Sequence, residues 1–120
     1  MATFTKKILS GSTDGKAIKV AEDATAGTLI HTGSATATTI DEVWLYAVNS
    51  SASDVKLTIE WGEATAPDGN IELSVVAESG LVLVVPGLLI KGAATELEVR
   101  AFAATANVIC IHGYVNQITV

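Results

Sequence analysis

The chain has 120 residues, enough for one domain that buries roughly two thirds of its unfolded surface in a single core. Acids outnumber bases 13 to 7, a formal charge of −6, and only Lys6 and Lys7 are adjacent, which argues against the clustered cations a nucleic-acid partner needs. A lone cysteine, Cys110, excludes an internal disulfide and a multi-cysteine zinc site.

No apolar run reaches the ~20 residues that cross a bilayer as a helix. The longest, Leu81 to Ile90, is interrupted by Pro86-Gly87. The start, MATFTKKILSGS, lacks the apolar stretch of a signal peptide, so synthesis and assembly in a cytoplasm are expected, with no membrane partner.

In chain order, Thr3–Leu9 is predicted as a first strand anchored by Phe4 and Ile8. Gly11–Gly15 is a loop, because glycine permits positive φ and Ser, Thr and Asp bond to nearby backbone. Ala17–Ala21 is a short second strand, Glu22–Gly27 a turn, and Thr28–Thr32 a β-branched third strand. Gly33–Thr38, small and polar, is a loop.

Ile40–Gly62 reads as a hairpin, and the rest of the chain is expected to be organised around it. Val43–Val48 is apolar at every position, the mark of a strand covered on both faces. In Val55–Trp61, Val55, Leu57, Ile59 and Trp61 alternate with Lys56, Thr58 and Glu60, the mark of a strand with one wet face. The connection, Asn49–Asp54, is too long and too poor in glycine for a two-residue turn.

Pro67-Asp68-Gly69 marks the next turn, with φ preset by proline and positive φ open to glycine. Ile71, Leu73 and Val75 alternate with Glu72 and Ser74. Leu81–Val85 is a strand, broken at Pro86-Gly87 and continued by Leu88–Lys91 as an edge or bent strand, since proline cannot donate to a ladder. Leu97, Val99 and Ala101 alternate with acids and an arginine. Val108–Val120 closes the chain, with Gly113 as a bulge or bend. Eight or nine short strands with turns every 8–12 residues predict one all-β domain over 1–120, an antiparallel β-sandwich of jelly-roll-like arrangement.

Three segments carry more apolar surface than two layers can cover: Val43–Val48, Leu81–Val85 and Val108–Ile111. A two-layer sandwich buries one face of each sheet. Some outer faces are therefore expected to meet another molecule, and a homo-oligomer is the natural arrangement. On the first segment, either Trp44, Tyr46 and Val48 or Val43, Leu45 and Ala47 form the subunit interface. The first set is the one assigned here as the candidate.

No catalytic, metal-binding or cofactor-binding constellation is found in the sequence. His31 and His112 lack a partner at ligand spacing and read as strand-face or interface residues. Cys110 and His112 share a strand face but lack an orienting third group. The loop from Gly11 to Lys16 misses the phosphate-loop spacing, and Asp68-Gly69-Asn70 lacks the ligand count of a calcium loop. Asp41-Glu42 and Glu60-Glu63, beside Trp44 and Trp61, read as solvated strand ends.

With the strands placed, the chain resembles a group of small tailed-bacteriophage virion proteins. The likeness runs through MATFTKKILSGSTDGKAIKVA, DEVWLYAVNS, TIEWG, PDG, AESGLVLVVPGLLI and VRAFAATANVICIHGYVNQI, nearly the whole chain. The resemblance implies a non-catalytic capsid decoration (cement) protein, usually trimeric, on the outer surface of the virion where subunits of the major capsid protein meet. Residues 1–12, with Phe4, Lys6 and Lys7, are the candidate arm docking onto an acidic shell. Two other roles are consistent with the residues: a tail, neck or head-fibre component, and a small carbohydrate-binding module stacking sugars on Trp44, Tyr46 or Trp61.

Overall fold

Alternation of apolar and polar residues sets the dry side of most strands in the computed structural model, which describes residues 2–120. Nine strands are present among them: β1 (Thr3–Ile8), β2 (Ile18–Lys19), β3 (Thr28–Thr32), β4 (Thr39–Asn49), β5 (Val55–Trp61), β6 (Asn70–Val75), β7 (Val82–Lys91), β8 (Glu98–Ala103) and β9 (Ile109–Thr119). They form two antiparallel sheets. The front sheet has the order β1–β9–β4–β7, with β2 also paired to β9. The back sheet has the order β3–β8–β5–β6.

The chain crosses between sheets at most of its connections, so strands distant in sequence become neighbours. This interleaving is that of a jelly roll, as the strand spacing predicts. The two inner faces meet in one core. Val43, Leu45 and Ala47 of β4, with Ile109, Ile111 and Val115 of β9, lie on the front side. Leu57 and Ile59 of β5, with Val99, Ala101 and Ala103 of β8, lie on the back side.

The predicted hairpin at 40–62 is not formed. β4 pairs with β9 and β7, whereas β5 pairs with β6 and β8 in the other sheet. The physical reason is that stacking the two strands covers both inner faces at once, which side-by-side pairing cannot do. Asn49 secures the crossover. Its buried side-chain amide donates to the carbonyls of Ser53 and Val75, each at 2.9 Å, and its oxygen accepts from the amide and hydroxyl of Ser51.

β7 runs through the predicted break. Val43 pairs with Leu88 and Trp44 with Pro86, so Gly87 is left over as a bulge with φ of 76°. Leu9, buried just after β1, anchors the N-terminal strand to the core. Every residue of β1 itself is exposed.

Candidate functional site

The three segments with surplus apolar surface fall on β4, β7 and β9, adjacent strands of the front sheet. In an antiparallel pair, directly opposed residues share a face. The register therefore builds the outer face row by row. One row is Phe4, Ile118, Ile40 and Lys91; the next is Lys6, Asn116, Glu42 and Leu89. Then follow Ile8, Tyr114, Trp44 and Pro86; next His112, Tyr46 and Leu83; and last Lys19, Cys110 and Val48. Phe4 is 72% exposed, Leu89 57% and Leu83 47%. Trp44, Tyr46 and Val48 are half-buried and point outward, while Val43, Leu45 and Ala47 turn into the core. The ambiguity left open by the sequence is thereby resolved.

The middle of this face is held rigid. The Trp44 and Tyr114 rings are stacked, with centroids 6.1 Å apart and planes within 11°. Lys6 places its ammonium 5.0 Å from the Tyr114 ring centre, an attraction to the ring's negative face. Trp44 leans on the Gly87 bulge, where an added Cβ would come within 2.9 Å of the indole. The indole N–H donates to Glu42 Oε1 at 2.7 Å, and Asn116 Nδ2 donates to the same oxygen at 2.9 Å. These two bonds, the indole first, hold the Glu42 carboxyl below its ordinary pKa, because both favour the ionised form. Glu42 is thus half-exposed but tied into its own sheet, and not a free strand end.

Its neighbour Asp41 is not one either. Asp41 is 1% exposed and accepts from Gln117 at 2.9 Å, with His31 at 2.7 Å on its other oxygen. His31 Nδ1 accepts the Ser10 amide N–H at 3.1 Å, so the ring proton sits on Nε2 and is donated to Asp41. The Ser10 hydroxyl oxygen accepts from the Thr32 amide at 2.6 Å. The buried pair thus fixes the corner where the chain leaves β1. Sequence reasoning missed this link, because the partners stand 10 and 21 residues from His31. Among the described residues, no group of three His, Cys, Asp or Glu side chains converges as a metal site.

The back sheet's outer face is different in kind. Glu60, 1% exposed, accepts the Gly27 amide at 2.7 Å and the Thr25 hydroxyl at 2.9 Å. The 22–27 turn thereby lies over Glu60, and Thr58 on the same strand face is buried as well, so β5 lacks the uniformly wet face its alternation predicts. An open groove of about 520 Å³ at the rim includes Glu60, Glu63, Glu96, Glu98 and Arg100. Arg100 already donates to Glu98 and to the Gly27 carbonyl.

The candidate docking residues Phe4, Lys6 and Lys7 lie on β1, which is zipped along β9 rather than extended as a free arm. Residue 1 of the proposed arm lies outside the described residues. No family model, no curated protein and no solved structure matches the chain.

Proposed function

We propose that this chain is a structural protein of a tailed-phage particle, a capsid decoration protein that binds as an oligomer, in the family's usual manner a trimer, across junctions of the major capsid protein. The observation that carries the reading is the apolar outer face of the front sheet. Most of its residues are side chains suited to contact rather than to chemistry, and Phe4, Leu83 and Leu89 among them stand exposed. The family likeness of the sequence supplies the setting. The jelly roll is compatible with it, since viral capsid proteins use this architecture, although lectins do too.

The mechanism is stapling. Each subunit buries apolar area against its neighbours, at roughly 1.5–3 kcal/mol per fully covered Val, Leu or Phe side chain. Identical contacts repeated around an oligomer then sum through multivalency. A staple across shell joints raises the cost of opening them under the pressure of packaged DNA. Lys6 and Lys7 on the exposed β1 offer positive charge to an acidic shell.

Electron microscopy of particles carrying a labelled copy tests this. Label spread over the head supports decoration. Label confined to the tail or one vertex transfers the protein to a tail, neck or fibre role. The outward Trp44 and Tyr46 also suit a sugar-binding platform, but Trp44 is already engaged by Tyr114, Gly87 and Glu42. A tryptophan fluorescence titration showing saturable response to a glycan would favour that reading instead.

A further inference from the structure

We propose that the buried His31 is a proton-operated latch on β1, closed while the imidazole is neutral and opened when it takes a second ring proton. The inference does not depend on the capsid reading. Its first support is how little else holds β1. This is an edge strand, paired to β9, and every one of its residues is exposed. Beside it runs an open cleft of about 420 Å³, lined by Lys7 and Ile8 of β1 and by His31, Thr32 and Asp41 of β3 and β4. Apart from Leu9 and the contact of Lys6 with Tyr114, the strand rests on its ladder and on Ser10, the residue that the latch grips.

The second support is the geometry of the ring. Nδ1 accepts the Ser10 amide N–H at 3.1 Å, and Nε2 donates to Asp41 at 2.7 Å. A neutral imidazole has one donor and one acceptor, and here both are used. A second proton has to sit on Nδ1, where it faces another N–H. The Ser10 bond is then lost, because two donors cannot pair. At the other end of the ring the added charge is accommodated. Nε2–H and Asp41 become an ion pair, with Gln117 still donating to the second carboxylate oxygen. The cleft that His31 lines lets water take the place of Ser10 at Nδ1–H. The ring thus has two satisfied arrangements, and they differ in whether Ser10 is held.

The third support is the surroundings of the ring. Asp41 faces it from β4, and Lys7 lines the same cleft from β1, exposed and screened by water. β9 contributes the neutral Gln117, and β8 the apolar Val99 opposite His31. Glu98, opposite Thr32, is held by Arg100. The cleft residues of the 33–39 segment, Ser34, Thr36 and Thr39 among them, carry no charge. Imidazole is the side chain that ordinarily changes charge between about pH 5 and 8. The latch is therefore shut at the alkaline end of that range and opens as pH falls. Each opening loosens Ser10 and the strand before it, uncovers the β9 edge from Tyr114 to Thr119, and frees Phe4, Lys6 and Lys7 from the sheet.

Nuclear magnetic resonance of the full chain between about pH 8 and 5 tests the proposal, with His31→Gln and His112→Asn as companions. At the alkaline end the His31 ring should carry its proton on Nε2 and none on Nδ1. As the ring titrates, the Ser10 amide should lose protection from hydrogen exchange by roughly tenfold, the effect of one net hydrogen bond, with a smaller loss at the β1 amides. The β5 and β8 amides should keep theirs. His112→Asn should leave this response unchanged, and His31→Gln should remove it. Constant protection of Ser10 while the His31 ring titrates overturns the proposal. So does a ring that stays neutral until the whole domain unfolds, or a response that survives in folded His31→Gln. Should His31→Gln fail to fold, the native His31 ring and Ser10 amide still decide.

Discussion

The two sheets of this jelly roll share one core and differ on their outer sides. On the back sheet, Glu60 is capped by the 22–27 turn, Lys56 pairs with Glu72 at 3.2 Å, and Arg100 pairs with Glu98 at 3.0 Å. That face is completed by its own chain and by water. On the front sheet, apolar side chains from four strands lie side by side, with Phe4, Leu83 and Leu89 exposed among them. The difference shows that surplus hydrophobicity in a sequence is information about topology. Three segments dozens of residues apart look like separate anomalies until the fold places them on neighbouring strands.

Substitutions can sharpen the contrast, beginning with the inward side that both sheets share. Leu45→Ala and Leu57→Ala each empty a fully buried site and should cost about 2–5 kcal/mol in chemical denaturation. Tyr46→Ala, one residue along β4 but outward, should cost the isolated subunit much less. If it costs as much as Leu45→Ala in a monomeric sample, the two sides of the front sheet are not distinct.

Gly87→Ala comes next. It places a side chain at φ of 76° and within 2.9 Å of the Trp44 indole, so a loss of about 1–3 kcal/mol is expected, with changed Trp44 fluorescence. An unchanged spectrum would mean that the bulge does not seat the ring. On the back sheet, Glu60→Gln replaces an acceptor of two hydrogen bonds by a group that is half donor. A loss of about 1–3 kcal/mol is expected, with faster hydrogen exchange at the Gly27 amide. Exchange as slow as in the native chain would show that the turn does not depend on this carboxylate.

The smallest effect concerns Glu42. Its folded pKa is depressed, so its bonds contribute stability above the unfolded glutamate value and lose it as pH falls through the folded value. Trp44 fluorescence should therefore titrate below the ordinary glutamate range, and Glu42→Gln should abolish that step. Persistence of the step in Glu42→Gln would assign it to another group.

Most strands were legible: alternation along β6 and β8 tracks burial, and the apolar runs along β4 and β7 mark strands, although their outer sides are half-buried or exposed rather than covered. The placement of β5 in the sheet opposite β4 was not. A polar connection such as 49–54 signals a reversal but does not say whether the next strand lies beside or above the last. The decisive interaction there is the Asn49 side chain reaching Val75, 26 residues away. Asp41 and Glu60 were misread for a similar reason. A carboxylate reads as exposed unless its partners are known, and theirs come from β3, β9 and a distant turn. Trp44, Tyr46 and Val48 were legible as one of two sets on β4, and the fold turns this set outward and Val43, Leu45 and Ala47 inward.

Cys110 offers the most direct measurement of whether the front face is covered. It is the single thiol and lies half-exposed on the outer face beside Val48. Its reaction rate with a thiol reagent should be slow at high protein concentration and rise on dilution as subunits separate. A rate that is fast and independent of protein concentration would contradict the covered face.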